Sequence, residues 1–179
     1  PAWSQGGRKK GLKDLDAALE KAATSRPPRS HRDSVRGRSP CMYVYTSGTT
    51  GNPKAGLLSN IRVQGMSRSF VPATRVNADD RIYVTLPLYH ATGGVCAIGL
   101  ALNTGATIVL RKKFSASAFW DDVVDQKCTI FVYIGELFRY LVNQPPHPKE
   151  KAHSLKTCFG NGLRPDVWAR AEERFAIPK

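Results

Sequence analysis

The sequence predicts a layered α/β fold with a largely parallel sheet and flanking helices. From residue 41 onward, short apolar or β-branched runs alternate with segments of helical periodicity. Turn-forming residues separate these runs, and an alternation of this kind is typical of βαβ units. The 179 residues are enough for one domain with a real core, or for a piece of a larger one.

Five strands and five helices are predicted after residue 40. The strands are Met42–Thr46, Arg81–Leu86, Ala106–Leu110, Cys128–Tyr133 and Lys156–Phe159. The helices are Ile61–Phe70, Gly94–Leu102, Ala116–Gln126, Glu136–Asn143 and Pro165–Phe175. Pro165 suits a first helical turn, where the N–H that proline lacks has no intrahelical partner. In parallel sheets, ligands collect at the loops that follow the carboxyl ends of strands.

The first 39 residues differ in composition from the rest. Apolar residues at helical spacing predict an amphipathic helix over Leu12–Ala23. The stretch "TSRPPRSHRDSVRGRSP" that follows is rich in proline, serine and arginine, which predicts an exposed linker. We therefore predict two parts: residues 1–39, a helix plus a basic linker, and residues 40–179, the domain.

The formal net charge is +13 and the pI is about 9.9, a balance that raises nucleic acid as a partner. The cationic excess is concentrated before residue 40, where almost no aromatic side chain is available for bases to stack on. We therefore predict no nucleic-acid partner and interpret this stretch as a solvated linker. A surface for phosphate groups or anionic lipid is the alternative.

The cysteines and histidines show neither disulfide nor metal spacing. No CxxC pair occurs, and each cysteine lies in an apolar run, which is typical of small buried side chains in a reducing, intracellular compartment. The histidines lack metal-ligand spacing, so no metal site is predicted. Asp121 and Asp122 are interpreted as a solvated helix face. The cysteines are Cys41, Cys96, Cys128 and Cys158.

A run without charged residues extends between Arg81 and Arg111. Its length would suit a membrane-spanning helix. However, Pro87 and several glycines divide it into short intervals that predict strand, turn, buried helix, turn and strand. Burial in a protein core is therefore the preferred interpretation.

The stretch "YTSGTTGNPK", from Tyr45 to Lys54, follows a predicted strand and concentrates hydrogen-bond donors. Gly48 and Gly51 let a ligand approach the backbone, and consecutive N–H groups in a tight loop form an anion site. Lys54 adds a point charge suited to a polyphosphate. The Walker pattern is not met, because Lys54 follows proline and precedes alanine. The stretch offers donors but no base or nucleophile, which favours phosphate binding.

"YTSGTTGNPKA" resembles the phosphate-binding signature of the adenylate-forming (AMP-binding) enzymes, which include acyl-CoA synthetases, luciferases and the adenylation domains of peptide synthetases. Further stretches resemble the branch of fatty acid transport proteins and very-long-chain acyl-CoA synthetases, most of all its fungal members. These stretches are "LPLYHATGG", "GATIVLRKKFSASAFW", "YIGELFRYL" and "GNGLRPDVW". The resemblance covers residues 42–175 and implies that residues 40–179 are part of the large N-terminal adenylation domain.

The resemblance implies a two-step ligase reaction that uses ATP, Mg²⁺ and coenzyme A. A fatty acid carboxylate attacks the α-phosphate of ATP to give an acyl-adenylate and pyrophosphate, and the thiol of coenzyme A then displaces AMP. Stabilising charge on the leaving pyrophosphate requires donors, which agrees with the composition of the loop. By position, the residues that would hold it are Thr46, Ser47, Gly48, Thr49, Thr50, Gly51 and Lys54.

The resemblance also implies roles for residues further along the chain. His90 would lie near the acyl or α-phosphate group as a candidate catalytic and substrate-binding residue, whereas one histidine beside an apolar helix is by itself more often structural. Gly93 and Gly94 would keep the adjoining helix start open for an acyl chain. Glu136 would help to wall the acyl pocket, or it forms a surface ion pair with Arg139. The segment that would line the adenine is Gly160, Asn161 and Gly162.

Two positions depart from the pattern of the family. Asn60 stands where many relatives have histidine, and Ala55 stands where many have glycine. The resemblance implies a fatty acid and a nucleotide as partners. It leaves open a peripheral association with the endoplasmic reticulum, peroxisome, lipid droplet or plasma membrane. Two other functions stay open: a truncated, non-catalytic relative that binds only nucleotide or lipid, and a nucleic-acid-binding module.

We interpret the chain as a fragment and expect residues 1–179 alone to make no acyl-CoA. By the resemblance, the acidic motif that positions magnesium and the catalytic lysine of the small C-terminal domain lie beyond Lys179. Losing one preorganised electrostatic group costs about 10²–10³ in rate. The measurement is thioester formation from ATP, fatty acid and coenzyme A. A rate on the order of 1 per second would contradict the expectation.

Overall fold

The computed structural model describes residues 2–46 and 52–178, and it divides the chain into two compact units, one up to Val35 and one from Arg36. The first unit consists of β1 (Trp3–Ser4), β2 (Lys13–Asp14), α1 (Leu15–Glu20) and a 3₁₀ turn (Arg29–Arg32). Asp14 caps α1, because its side chain accepts the Ala17 N–H at 3.1 Å. The helix is shorter than the predicted Leu12–Ala23, since its first residues are used in the parallel pairing of β1 with β2.

The second unit begins with an antiparallel hairpin of β3 (Pro40–Thr46) and β4 (Lys54–Ser59). The predicted strand over Met42–Thr46 is confirmed, but its partner is β4, which sequence reasoning missed. Lys54, predicted in a loop, is the first residue of β4 and pairs with Thr46. Cys41 is exposed, so its predicted burial is wrong.

Four parallel strands form a separate sheet in the spatial order β6-β5-β7-β8. These strands are β5 (Arg81–Val84), β6 (Thr107–Leu110), β7 (Ile130–Ile134) and β8 (Thr157–Asn161). All four were predicted from the sequence, with ends that differ by one or two residues. The parallel sheet with flanking helices confirms the predicted fold class.

Helices cover both faces of this sheet. On one face lie α2 (Asn60–Thr74), a π-helical segment (Ala91–Ala97) and α3 (Ile98–Thr104). On the other face lie α4 (Phe119–Asp125), α5 (Gly135–Val142) and α6 (Pro165–Phe175). Ring contacts mark the two interfaces: Phe70 of α2 stacks on Phe159 at 5.1 Å, whereas Tyr83 meets Phe119 of α4 edge-on at 5.5 Å.

The charge-free run between Arg81 and Arg111 is divided into short elements, as predicted, and much of it is buried, although residues 87–90 are exposed. It forms β5, the π-helical segment, α3 and β6, and its strand and helix residues include Ile82, Ala97 and Leu100, which are fully buried. The predicted helix over Gly94–Leu102 starts earlier, because the π-helical turns begin at Ala91. Among the helices that the structure describes, none is long and apolar enough to cross a bilayer.

Asp80 ties together the amino ends of three parallel strands. Its carboxylate is 5% exposed and accepts hydrogen bonds from Thr129 Oγ1 at 2.7 Å, Lys156 Nζ at 2.7 Å and the Asn77 N–H at 2.8 Å. Thr129 directly precedes β7 and Lys156 directly precedes β8, while Asp80 itself precedes β5. Burial raises the pKa of the Asp80 carboxyl, but these hydrogen bonds outweigh burial and hold that pKa below its usual range.

We expect Asp80→Asn to destabilise the protein by about 1.5–3 kcal/mol at pH 7, the range for hydrogen bonds to a charged group. Because the pKa of Asp80 is lower in the folded than in the unfolded chain, its contribution is present at neutral pH. That contribution is lost as the pH falls below about 4 and through the lowered pKa. Urea unfolding at several pH values measures the free energy of unfolding. The control is Asp79→Asn at an exposed neighbour, and equal losses in both variants would contradict the role of Asp80.

Candidate functional site

The carboxyl edge of the parallel sheet contains a topological switch point. β5 is followed in the chain by β6 on one side of it, whereas β7 is followed by β8 on the other side. The chain therefore leaves the neighbouring carboxyl ends of β5 and β7 in opposite directions, and ligands of open α/β sheets bind at such a point. Three predicted segments leave the sheet at this edge: Leu86–Gly94 after β5, Gly135–Glu136 after β7, and Gly160–Gly162 at the end of β8.

His90 caps the π-helical segment and presents an exposed imidazole at this edge. Its Nδ1 accepts the Thr92 N–H at 3.2 Å, so the neutral ring carries its proton on Nε2. The backbone of His90 is held as well, because its N–H donates to the Pro87 carbonyl and its carbonyl accepts the Gly94 N–H. The result is an exposed Nε2–H group in a fixed position that can donate a hydrogen bond.

Gly93 and Gly94 allow the Leu86–Leu88 turn to fold back on the helix start. A Cβ at Gly93 would lie 2.8 Å from the Pro87 carbonyl oxygen, and one at Gly94 would overlap the Leu88 carbonyl oxygen. Both glycines are therefore required by close backbone packing, a reason that sequence reasoning did not identify. Their predicted role beside an acyl chain stays a prediction.

Two further glycines bring the ends of β7 and β8 together. A Cβ at Gly135 would overlap the carbonyl oxygen of Gly162, and a Cβ at Gly160 would overlap that of Tyr133. Gly162 has a φ of 71°, which favours glycine. Gly160, Asn161 and Gly162 are exposed, so a flat ring can approach their backbone. Gly135 was missed in the sequence, although it lies within "YIGELFRYL".

The hairpin presents the predicted phosphate loop. Thr46 and Lys54 are cross-strand partners at its open end, so the intervening loop starts and finishes at neighbouring positions. Lys54 is exposed. Asn52 and Pro53 precede it, while the predicted ligands Ser47, Gly48, Thr49, Thr50 and Gly51 lie outside the described residues.

Glu136 forms an ion pair with Arg139 in the first turns of α5, which confirms the predicted i,i+3 pair. Both side chains are about half exposed. The hydrogen bond from the Arg139 guanidinium holds the pKa of the Glu136 carboxyl below its usual range. The carboxylate is therefore ionised at neutral pH, and its predicted place in an acyl pocket stays a prediction.

Asp122 is not part of a solvated helix face, which corrects the prediction. Its Oδ2 accepts the hydroxyl of buried Tyr83 at 2.7 Å and pairs with Arg111 Nε at 2.9 Å. Burial and the neighbouring Asp122 carboxylate raise the pKa of Tyr83. Asp121 does face solvent and pairs with Lys149 at 2.9 Å. Asp122 thus joins β5, the end of β6 and α4.

The described part of the site suits a nucleotide better than a metal ion. It offers exposed backbone at Gly160, Asn161 and Gly162 and a donor on His90, whereas the carboxylate of Glu136 is paired with Arg139. Within residues 2–46 and 52–178, no group of three His, Cys, Asp or Glu side chains could hold a metal.

Comparisons with known proteins found similar sequences over most of this chain. A family model described as AMP-binding enzyme matches residues 5–179. The chain is 44% identical over 165 residues to human long-chain fatty acid transport protein 5. The matched segment is 92% of this chain and 24% of that protein. It is 39% identical over 164 residues to the medium/long-chain-fatty-acid–CoA ligase FadD6 of Mycobacterium tuberculosis. Here the matched segment is 90% of this chain and 28% of the ligase. The chain thus spans about a quarter of the length of these curated relatives.

Solved structures share the fold. The inhibitor-bound N-terminal domain of FACL13 from M. tuberculosis superposes with a TM-score of 0.74 at 20% identity, over 90% of this chain and 40% of that one. The O-succinylbenzoate coenzyme A synthetase MenE of Bacillus subtilis, in complex with AMP, superposes with a TM-score of 0.73 at 20% identity. The superposition covers 92% of this chain and 33% of that one. At this identity the likeness is one of fold.

We expect Gly135→Ala to destabilise the protein by about 1–3 kcal/mol, since the added methyl group overlaps the Gly162 carbonyl and forces β7 and β8 apart. Gly65→Ala is the matched control, because Gly65 lies inside α2 with open space around its Cβ position. There alanine should stabilise by about 0.5–1 kcal/mol. Urea unfolding compares the two. Equal effects would show that the Gly135–Gly162 approach is not tight.

Proposed function

Because this chain belongs to the AMP-binding enzyme family, as its motifs predicted, we propose that it is the ATP-binding core of a fatty acyl-CoA ligase. The observation that carries the proposal is the convergence of the His90, Glu136 and Gly160–Gly162 segments at one switch point of the sheet. The names of the relatives, long-chain fatty acid transport proteins and a medium/long-chain-fatty-acid–CoA ligase, support a fatty acid as the substrate. The predicted fungal likeness stays a prediction.

In the proposed first step, the carboxylate of a fatty acid attacks the α-phosphate of ATP. An acyl–phosphate bond forms, the bond to the β-phosphate breaks, and pyrophosphate leaves. Lys54, with Thr46 and the donors of residues 47–51, would hold the β- and γ-phosphates, where developing charge needs donors rather than a base. The Nε2–H of His90 would contact the carboxylate or α-phosphate. The exposed backbone of Gly160–Gly162 would receive the adenine.

In the proposed second step, the thiol of coenzyme A displaces AMP and forms the thioester. Mg²⁺, which would neutralise phosphate charge, is expected to be held by groups outside the described residues, and no residue here is assigned to it. Gly93, Gly94 and Glu136 would lie along the acyl chain. The adenylation domain would start near residue 40, after the basic segment. We also propose that the protein contacts a membrane peripherally.

A truncated relative that binds nucleotide or lipid without catalysis is the second candidate. The two candidates differ in turnover and agree in binding. Adenylation by a longer protein that contains this chain would therefore decide between them.

We expect Lys54→Ala, in a protein that contains this chain and the rest of the adenylation domain, to slow pyrophosphate release by about 10- to 150-fold. A charge-assisted contact to phosphate contributes about 1.5–3 kcal/mol, and each 1.4 kcal/mol is a factor of ten in rate. The control is Lys151→Ala, at an exposed position in the turn before β8. An unchanged rate in Lys54→Ala would overturn the phosphate-loop assignment.

A further inference from the structure

Two consecutive lysines, Lys112 and Lys113, are exposed at the carboxyl edge of the parallel sheet. They lie in the bend that follows β6. Within residues 2–46 and 52–178, neither side chain forms an ion pair. Two other lysines of this unit, Lys127 and Lys156, precede β7 and β8 and therefore lie at the opposite edge. The lysine pair thus adds positive charge to the edge at which ligands of open α/β sheets bind.

The backbone that carries the lysine pair is held on both sides. Before it, the Arg111 N–H donates to the Val84 carbonyl at the end of β5, and the Arg111 side chain pairs with Asp122 at 2.9 Å. After it, Phe114 packs against Tyr140 of α5, with the ring centroids 6.4 Å apart. The fold therefore fixes where the two lysines leave the sheet, while their long side chains can adjust to a ligand.

The neighbouring carboxylates do not neutralise the lysine pair, because each of them is matched by an arginine. Asp122 pairs with Arg111, and Glu136 pairs with Arg139 in the helix that carries Tyr140. The charge that remains in this group of side chains is that of the two lysines. An ammonium group is a compact charge with three donors, which suits the oxygens of a phosphate group.

The order of the strands separates the lysine pair from the proposed ATP contacts. Gly160–Gly162, which would receive the adenine of ATP, lie at β8, whereas the lysine pair follows β6 at the other end of the order β6-β5-β7-β8. Three strand spacings, about 14 Å in all, lie between these two strands. The proposed ligands of the β- and γ-phosphates are on the hairpin, so the end of β6 is left for a different phosphate group.

We propose that Lys112 and Lys113 bind phosphate groups of coenzyme A during the second step of the reaction. Coenzyme A has a diphosphate and a 3′-phosphate, which a long flexible arm joins to the thiol, so its phosphates can stay at β6 while the thiol reaches the acyl-adenylate. The inference rests on the proposed function and adds the location of its second substrate. Because the contact is remote from the reacting sulfur, it contributes to the binding of coenzyme A rather than to bond making.

The test replaces both lysines by glutamine, as Lys112→Gln/Lys113→Gln, which removes two charges and keeps polar side chains. Lys112→Arg/Lys113→Arg keeps the charges. The matched control is Lys9→Gln/Lys10→Gln, at two consecutive exposed lysines of the first unit. All are made in a longer protein that contains this chain and the rest of the ligase. The measurements are the Kd of coenzyme A and of pantetheine, which lacks the phosphates, by calorimetry, and the KM of each in thioester formation from palmitoyl-adenylate.

Lys112→Gln/Lys113→Gln should raise the Kd and the KM of coenzyme A by about 2- to 30-fold, the range expected for the loss of two exposed ion pairs. The loss should shrink as the ionic strength rises, because salt screens exposed charges. The Kd and the KM of pantetheine should equal those of the parent protein. Lys112→Arg/Lys113→Arg should recover most of the affinity for coenzyme A, and Lys9→Gln/Lys10→Gln should behave as the parent does.

A parent-like Kd of coenzyme A in Lys112→Gln/Lys113→Gln would overturn the inference, as would an equal loss with pantetheine. With that Kd unchanged, slower pyrophosphate release would assign the lysine pair to ATP, and weaker binding to phosphatidylserine vesicles would assign it to a membrane. Both results overturn the inference. If the parent protein forms no acyl-adenylate, the proposed function fails. The Kd values of coenzyme A and pantetheine then still decide whether the lysine pair binds phosphate groups.

Discussion

The hydrogen bonds of Asp80 are the constraint on which the parallel sheet depends. One carboxylate receives donors from the residues that precede β7 and β8 while its own residue precedes β5, so three strands start in a common register. Register in a parallel sheet decides which side chains and loops meet at the opposite edge. The placement of the His90, Gly135 and Gly160–Gly162 segments at the carboxyl edge follows from that common start.

At that edge the protein uses backbone more than side chains. Gly93, Gly94, Gly135 and Gly160 each lie where a Cβ would meet a carbonyl group of a neighbouring segment. Such packing leaves few side-chain atoms between a ligand and the main chain, which suits recognition of a flat ring and of phosphate oxygens. The charged side chains nearby, Arg111 and Glu136, are engaged by Asp122 and Arg139.

Much of the fold was predictable from the sequence, because the four parallel strands are apolar runs and α6 begins at a proline. The exceptions depend on partners distant in the chain. β4 was missed, since "KAGLLS" has no strict alternation and becomes a strand only by pairing with β3. Asp122 was misjudged because its partners, Tyr83 and Arg111, are on other elements. For the site, motifs identified the segments, whereas the close approach of Gly135 to the Gly162 carbonyl is visible only in three dimensions.

The hairpin has a mechanical consequence, because β4 runs directly into α2. β4 ends at Ser59 and α2 starts at the next residue, so Lys54 is joined to α2 without a flexible connection. Ser67 of α2 in turn donates to the Val95 carbonyl in the π-helical segment that His90 caps. A continuous path of backbone and hydrogen bonds therefore runs from Lys54 through α2 to the segment that His90 caps. For any two ligands bound at the ends of such a path, linkage requires that each change the affinity for the other by the same factor.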